Sequence, residues 1–480
     1  MLKYKSTYLV VALIIGLSSC KITQEISQNR PTLAIPSKFS QAADTLKVQL
    51  PLLRRFFSEP TLVSLIDTAL YNNFDLQIAV QRVEMARAGV RFTKGLGLPD
   101  LTGTITAGQR KFGNYTIDGV GNYDTQFSSN LNDKQKIPDP IIPDYFFGVT
   151  SSWEIDLWGK LSSQKKAAAA RFLATESGKN LIVTALVADI SAAYYELLIL
   201  DNELNIVEEN ITLQQSALDI VQVMKQSGQA NQLGVELLNA QLLASKALKV
   251  EVRQQIVEIE SKINFLVGRY PQPIARPAIT WDQVIPPKLA AGVPANLLEN
   301  RPDIQQAEYE LLATNSNLYA AKAAFYPTFT INTGLGFQAF KALLVFNPAS
   351  IAYNIVGGLT TPLVNRRQLI ADLMSSKADK QIAYTHYQKT IVNGFTEVYN
   401  YLNLIENTNE MYRIKSQEVE VLRQSINTSQ ELYRFGRATY LEVITAQKNA
   451  LQAQVELINL KKKQFYAVIG LYKSLGGGWR

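Results

Sequence analysis

NNFDLQIAVQRVEMARAGVRFTKGLGLPDLT (Asn72–Thr102) returns 228 residues later as NRPDIQQAEYELLATNSNLYAAKAAFYPTFT (Asn300–Thr330). Asn72, Asp75, Gln77, Ala79, Lys94, Pro99 and Thr102 meet identical residues at that offset, seven in 31 ungapped positions. In both places a stretch of helical character runs into a proline and then into an alternating, Thr-rich strand. A chain that repeats a helix–strand unit is organised as a symmetric assembly part, not as an enzyme around one pocket.

Prolines mark out the rest. None lies between Pro143 and Pro271, nor after Pro362, whereas seven of eighteen fall between Pro271 and Pro302. Proline breaks helix interiors, so the empty regions are open to very long helices and the cluster is a linker between repeats. Leu181, Thr184, Ala185, Val187, Ala188, Ala192, Tyr195, Leu198 and Ile199 recur at three- and four-residue spacing, the signature of a helix with a buried face. A helix over 160–225 would be about 100 Å long. Ser227–Asn231 and Phe435–Arg437 break each long helix before a second one, near 232–267 and 439–472. The shorter helices 61–97 and 232–267, end to end, match the long one in length. The layout is an antiparallel coiled-coil unit two helices wide, repeated once. Leu181–Leu200 nearly has the length and hydropathy of a membrane span, but it holds Asp189 and Glu196 on nearly one face. Charges at a bilayer centre are costly, so a coiled-coil helix with one wet face is expected.

Four segments alternate at period two. In Leu101–Ala107 the threonines Thr102, Thr104 and Thr106 share one side; in Phe147–Leu157, Glu154 and Asp156 do. Phe329–Phe337 and Tyr353–Leu359 complete the set, with Val356 breaking the polar side. Such segments, with Tyr145, Phe146, Trp153 and Trp158 as an interfacial girdle, fit transmembrane barrel strands whose lumen carries Thr102, Thr104, Thr106, Glu154 and Asp156. Four strands cannot close, and open edges are not tolerated in lipid. Two chains would give eight strands and a filled interior; three give twelve and leave a lumen. The segments 112–143 and 339–350 then read as outward-facing loops.

The first nineteen residues form a targeting segment: Lys3 and Lys5, then an apolar run too short to span, ending in Leu17-Ser18-Ser19-Cys20. That ending resembles a bacterial lipobox, with Cys20 the lipid anchor. Cys20 is the only cysteine of the 480 residues, so thiol redox chemistry is excluded from the mature chain. Lys21 is not the aspartate that retains many such lipoproteins at the inner membrane, which favours the outer one. Net charge is +7 with no basic stripe, so nucleic-acid binding has no support. There is one histidine, His386, and no HExxH, GxSxG, P-loop or Cys/His metal spacing, so neither a cofactor nor an enzyme is indicated.

Arg301-Pro302-Asp303-Ile304, Ala307-Glu308, Ala320–Ala324, Phe325-Tyr326-Pro327 and Ser152–Leu161 together resemble the TolC-like outer-membrane factors, specifically their lipoprotein branch. The resemblance spans the mature chain in order, in both repeats. It implies an α+β membrane fold: a homotrimer with a twelve-stranded β-barrel, an equatorial band, and a long periplasmic helical barrel. It further implies a passive duct of a tripartite efflux system in a Gram-negative bacterium, lipid-anchored on the periplasmic side of the outer membrane. The partners would be a periplasmic adaptor and an inner-membrane pump of the RND type. The corresponding layout is a signal peptide 1–19, a lipidated segment and equatorial wrap 20–60, repeats 61–270 and 294–480, and a linker 271–293.

The same resemblance places a periplasmic gate. Glu236–Gln241 and, 206 residues on, Glu442–Gln447 begin the inner helices. Glu442 matches the family's first constriction acid. Thr445 stands where TolC has a second acid, and Ala438 where it has an arginine, with Arg437 adjacent. The turns before Glu236 and Glu442 are expected to differ in length and charge. Two readings compete: the exit duct of a type I protein secretion system, and a coiled-coil periplasmic lipoprotein without a pore.

Overall fold

The computed structural model describes residues 36, 53–276, 296–364 and 366–479. The signal segment, Cys20, the rest of the segment before Leu53 other than residue 36, and residues 277–293 of the linker lie outside the described residues. The chain divides into units Met1–Pro36 and Ser37–Arg480, and every element below belongs to the second.

A short helix α1 (Leu53–Phe56) leads to α2 (Pro60–Asn72) and α3 (Phe74–Gly95). Where one helix over 61–97 was expected there are two, because Asn73 is extended (φ −60°, ψ 129°). Its side chain caps the next helix, accepting from the Leu76 amide at 3.0 Å, which replaces the backbone bonds lost at the break. Then come β1 (Asp100–Arg110), a loop carrying α4 (Ile117–Asp124), β2 (Ile142–Ile155), α5 (Lys160–Gln226) and α6 (Gln232–Val267). The second repeat runs α7 (Asn296–Asn300), α8 (Pro302–Ala323), β3 (Thr328–Ala339), β4 (Ile351–Thr360), α9 (Arg367–Arg434) and α10 (Tyr440–Ser474). Both α3 and α8 are 22 residues long, and α5 and α9 are 67 and 68. At 1.5 Å per residue the long pair span about 100 Å each.

The repeat extends to the joints between its helices. Gly268 (φ 80°) ends α6, and a Cβ there would lie 2.5 Å from the Asn72 carbonyl oxygen; a Cβ on Gly476 (φ 88°), just past α10, would lie 2.4 Å from that of Asn300. Both sites need a left-handed residue without a side chain. Asn73 Nδ2 donates to the Leu266 carbonyl at 2.9 Å. Its counterpart Arg301 donates from Nη1 to the Ser474 carbonyl at 2.8 Å. The second clasp is the stronger: Arg301, only 7% exposed, also grips Asp303 through two nitrogens and Glu397 through a third. The Arg-Pro-Asp segment therefore fastens the start of α8 to α9 and to the end of α10.

The main core lies midway along α5. Leu186–Ile199 packs with Phe56, Phe57, Leu62, Ile66, Ile263, Phe465 and Tyr472; Phe56 stacks on Tyr472 at 4.1 Å and Tyr195 on Phe465 at 4.6 Å. Among the described residues, α5 alone has an apolar window long enough to cross a membrane, and 67% of that window is buried within the protein. Asp189 is exposed and Glu196 pairs with Lys462 at 3.3 Å. The hydropathy of this helix comes from its central position.

Side by side, α3 packs on α5, α5 on α8 and α8 on α9; lower down α6 takes the place of α3 and α10 that of α8. The two flanks stay open. Of the 67 residues of α5, 23 are buried, against 7 of 68 in α9. Along α9, Ile370, Met374, Ile382, Val392, Tyr399, Met411, Ile414 and Val421 are each at least 44% exposed; at 100° per residue they fall within an arc of about 140°. On the other flank Ile78, Met85 and Phe92, then Leu243, Val250 and Val257, are exposed at seven-residue intervals, the spacing of a helix–helix seam.

Candidate functional site

The four strands form one antiparallel sheet in the order β1-β2-β3-β4, with β1 and β4 as free edges. Register fixes its two faces, since directly paired residues point to the same side. Thr102 pairs with Thr150 and Thr150 with Gly334; Ser152 pairs with Asn332 and Glu154 with Thr330. That face also carries Thr104 and Thr106, and the Thr104 and Thr150 hydroxyls lie 3.1 Å apart. The opposite face carries Leu101, Ile105, Val149, Trp153, Ile331, Leu335, Tyr353, Ile355 and Leu359. Most of it is bare: Leu101 is 72% exposed, Ile105 77% and Ile355 71%. A patch of this extent on one side of a sheet calls for a nonaqueous surface. Ten residues at 3.4 Å, tilted by about 40°, cover about 26 Å, the height of an outer-membrane apolar band.

Three sequence expectations change here. Asp156 lies beyond β2, which ends at Ile155, and does not line the sheet. Its carboxylate accepts the amides of Leu161 (3.0 Å) and Ser162 (2.8 Å) at the start of α5. Partial burial pushes its pKa up, but these hydrogen bonds win and hold it below the ordinary aspartate value. Phe146 has the opposite parity to Tyr145: it faces the polar side, where its ring covers Gly148 and Gly336. Trp158 also lies outside the strands, stacked on Tyr326 at 5.1 Å and donating to the Pro327 carbonyl at 2.7 Å. Glu154 stays on the polar face, paired with Lys160 at 2.5 Å.

A charged cluster escaped the sequence reading. At the loop end of the polar face Asp144 accepts from Arg110 and Gln338, both at 3.0 Å, tying three strands together. Parity was the available signal, because Arg110 continues the series of Thr102, Thr104 and Thr106. These residues line part of an open cavity of about 490 Å³ beneath the loops. Among the described residues no group of three or more His, Cys, Asp or Glu is placed to hold a metal, and His386 is exposed on α9.

At the far end the two helical hairpins meet. Leu218, Val221, Leu238 and Leu242 cluster with Tyr433 and Ile444, and the Tyr440 ring rests on Gly234. The two turns are the same, contrary to expectation. Each has five residues, with Gly228 (φ 76°) or Gly436 (φ 69°) in second place. Gln229 and Ala230 bond back to the Met224 carbonyl at 2.8 and 3.2 Å, as Arg437 and Ala438 do to that of Leu432. Only the charge differs.

The caps Asn231 and Thr439 stand 208 apart, so the 206-residue alignment of Glu236 with Glu442 fails: Gly234 is the counterpart of Glu442. Burial agrees, with Leu238, Leu242 and Ser245 matching Ala446, Ala450 and Ala453. Glu442 closes a capping box, its carboxylate accepting from the Thr439 amide at 2.9 Å and from its hydroxyl. The Thr439 hydroxyl, above all, keeps the Glu442 carboxyl below the usual range. Glu442, Thr445, Arg437 and Glu236 are all exposed. The Thr445 hydroxyl bonds to the Leu441 carbonyl and Glu236 accepts from Gln232. Nearby, the amides of Gln214 and Gln447 are buried without a hydrogen-bond partner.

A sheet with one wet and one greasy face, joined to paired helices too long for a globular domain, defines a membrane conduit protein of TolC-like fold. The family described as Outer membrane efflux protein matches residues 65–269 and 293–477, and the chain belongs to it. The Cation efflux system protein CusC of Escherichia coli O6:H1 is 26% identical over 471 residues, covering 97% of each chain. The Solvent efflux pump outer membrane protein SrpC of Pseudomonas putida is 27% identical over 499 residues, covering 100% of this chain and 99% of its own. A crystal structure of CusC superposes with a TM-score of 0.82 at 25% identity, over 94% of this chain and 98% of that one. The open state of the Neisseria gonorrhoeae MtrE outer membrane channel gives 0.79 at 21%, over 96% and 99%. The chain is thus an outer-membrane efflux protein of a Gram-negative bacterium.

Proposed function

We propose that three copies assemble into a tube, with a twelve-stranded barrel in the outer membrane and a helical conduit below it. The observation that carries this is the two-faced register of the sheet. Its free β1 and β4 edges present unpaired backbone groups that lipid cannot satisfy, and pairing β4 of one chain with β1 of the next removes both. The open flanks support the same closure: the apolar stripe of α9 meets the seven-residue seams of α3 and α6 on the neighbour.

The tube is a passive duct that performs no catalysis. It docks onto a periplasmic adaptor and an inner-membrane pump of the RND type, which supplies the energy. The Thr, Ser, Asn and Gly lining is mostly uncharged and supports unselective passage of small toxic compounds. Relatives named for cation and solvent efflux fit that breadth. At the periplasmic mouth three Glu442 carboxylates ring the axis, with Glu236, Thr445, Arg437 and Ala438 around them. Repulsion within such a ring favours cations at the mouth.

Single cysteines test the wall. In vesicles, Thr104→Cys is expected to react with a membrane-impermeant thiol reagent and Ile105→Cys to be protected. The reverse pattern refutes the lumen assignment, and a monomer on a non-boiled SDS gel refutes the trimer.

A further inference from the structure

We propose that the loop between β3 and β4, residues 340–350, is a lipid-contacting knob seated among the acyl chains of the outer leaflet at the barrel rim. This rests on the reading of the apolar sheet face as the lipid side. The Phe346 ring lies 5.5 Å from that of Phe147 and 6.0 Å from that of Phe337, edge to face in both cases. Phe147 and Phe337 pair in register on the apolar face, so the knob continues the membrane-facing surface instead of rising away from it. Val345 within the knob and Ala339 just before it are buried, whereas Leu343 is 99% exposed and Phe346 71%.

Two further features suit a lipid environment. A segment entering the hydrocarbon boundary must satisfy its own backbone polar groups. Here the amides of Leu344, Val345, Asn347 and Ser350 bond to the carbonyls of Lys341, Ala342, Leu344 and Asn347 at 2.8–3.3 Å, and that of Ala349 bonds to the Asn347 side chain. Charge is partitioned as well. No ionisable residue occurs from Ala342 to Ala352, while the longer loop 111–141 holds Lys111, Asp118, Asp124, Asp133, Lys134, Lys136 and Asp139. Lys341, at the knob's edge, turns its ammonium to the Asp133 carbonyl of that long loop. Exposed Leu and Phe beside an aromatic rim are the side chains that partition into the interfacial layer.

The test uses full-length protein carrying Leu343→Cys or Phe346→Cys, labelled with bimane and reconstituted in phosphatidylethanolamine/phosphatidylglycerol vesicles. Quenching by nitroxide-bearing lipid is compared with quenching by aqueous iodide. The parent chain, whose sole cysteine is Cys20, is the blank; Ile355→Cys and Tyr115→Cys are the membrane and water references. Both knob positions are expected to follow Ile355, with lipid quenching about twofold or more above iodide quenching. If they follow Tyr115, the knob is an aqueous loop and the proposal is overturned. Shielding from both quenchers overturns it too, because a neighbouring chain then covers the site. Iodide quenching at Ile355 itself would instead bring down the face assignment.

Discussion

Replacing Arg301 with alanine should loosen the second repeat at the point where three helices meet. The guanidinium is 7% exposed, and its partners Asp303 and Glu397 are 20% and 39% exposed. It bonds both Asp303 oxygens (3.0 and 2.6 Å), Glu397 (2.7 Å) and the Ser474 carbonyl (2.8 Å). Removing one member of a buried ion pair costs about 3–5 kcal/mol, because the remaining charge is stranded. Glu397 is open enough for water to screen it, which puts the expected loss near the lower bound, about 3 kcal/mol. Guanidinium unfolding of the detergent-solubilised protein, followed by helical circular dichroism, reads this directly. With a slope of about 5 kcal/mol/M for a chain of this size, the midpoint drops by about 0.6 M. Arg301→Lys keeps the charge but loses the two-nitrogen fork and should fall between. Asn73→Ala, at the equivalent place in the first repeat, loses a neutral bond and a cap and should cost about 1–2 kcal/mol. An Arg301→Ala midpoint within about 0.1 M of wild type would refute the clasp, since the accuracy of such midpoints is finer than the shift expected.

The remaining predictions separate roles that share a residue. Glu442→Gln keeps the capping box with Thr439, whereas Glu442→Ala removes both cap and charge. If the three carboxylates set cation preference in planar bilayers, both variants lower it; if Glu442 only shapes the turn, Gln behaves as wild type. Asp156 has a folded pKa below the unfolded value of about 3.9, so its stabilisation is complete above that pH and is lost as pH falls through the folded value. Asp156→Ala should therefore destabilise at pH 7, by about 1 kcal/mol, and flatten the acid limb of the stability–pH curve; an unchanged limb contradicts the capping role. Gly228→Ala meets only the strain of its positive φ, with nothing within 4 Å of the new Cβ, while Gly476→Ala also strikes the Asn300 backbone. Equal melting temperatures for the two variants would count against that close packing.

Read alone, the chain already determined the duplicated helix–strand plan, the first long helix to within a residue of its observed ends, the break that closes the second, the four strands and the parity that separates threonines from leucines. These are local properties. Helical and strand periods repeat over a few residues, proline acts on its own turn, and side-chain direction alternates whatever the strand pairs with. Tertiary structure decided everything that depends on a partner distant in sequence. Asp156 continues the parity of Glu154, yet a chain that turns after Ile155 delivers it to the amides of α5. Glu236 and Glu442 align by their neighbours, yet the caps at Asn231 and Thr439 set the true register two residues away. Arg301 belongs to a recognisable Arg-Pro-Asp-Ile segment, yet its role appears only when folding buries it against Glu397 and the last turn of α10. Likewise Phe346 is one residue of an outward-facing loop until register brings Phe147 and Phe337 beneath it. A short sequence pattern carries no information about which distant surface will complete a hydrogen bond or cover a ring, and at those points the fold decided.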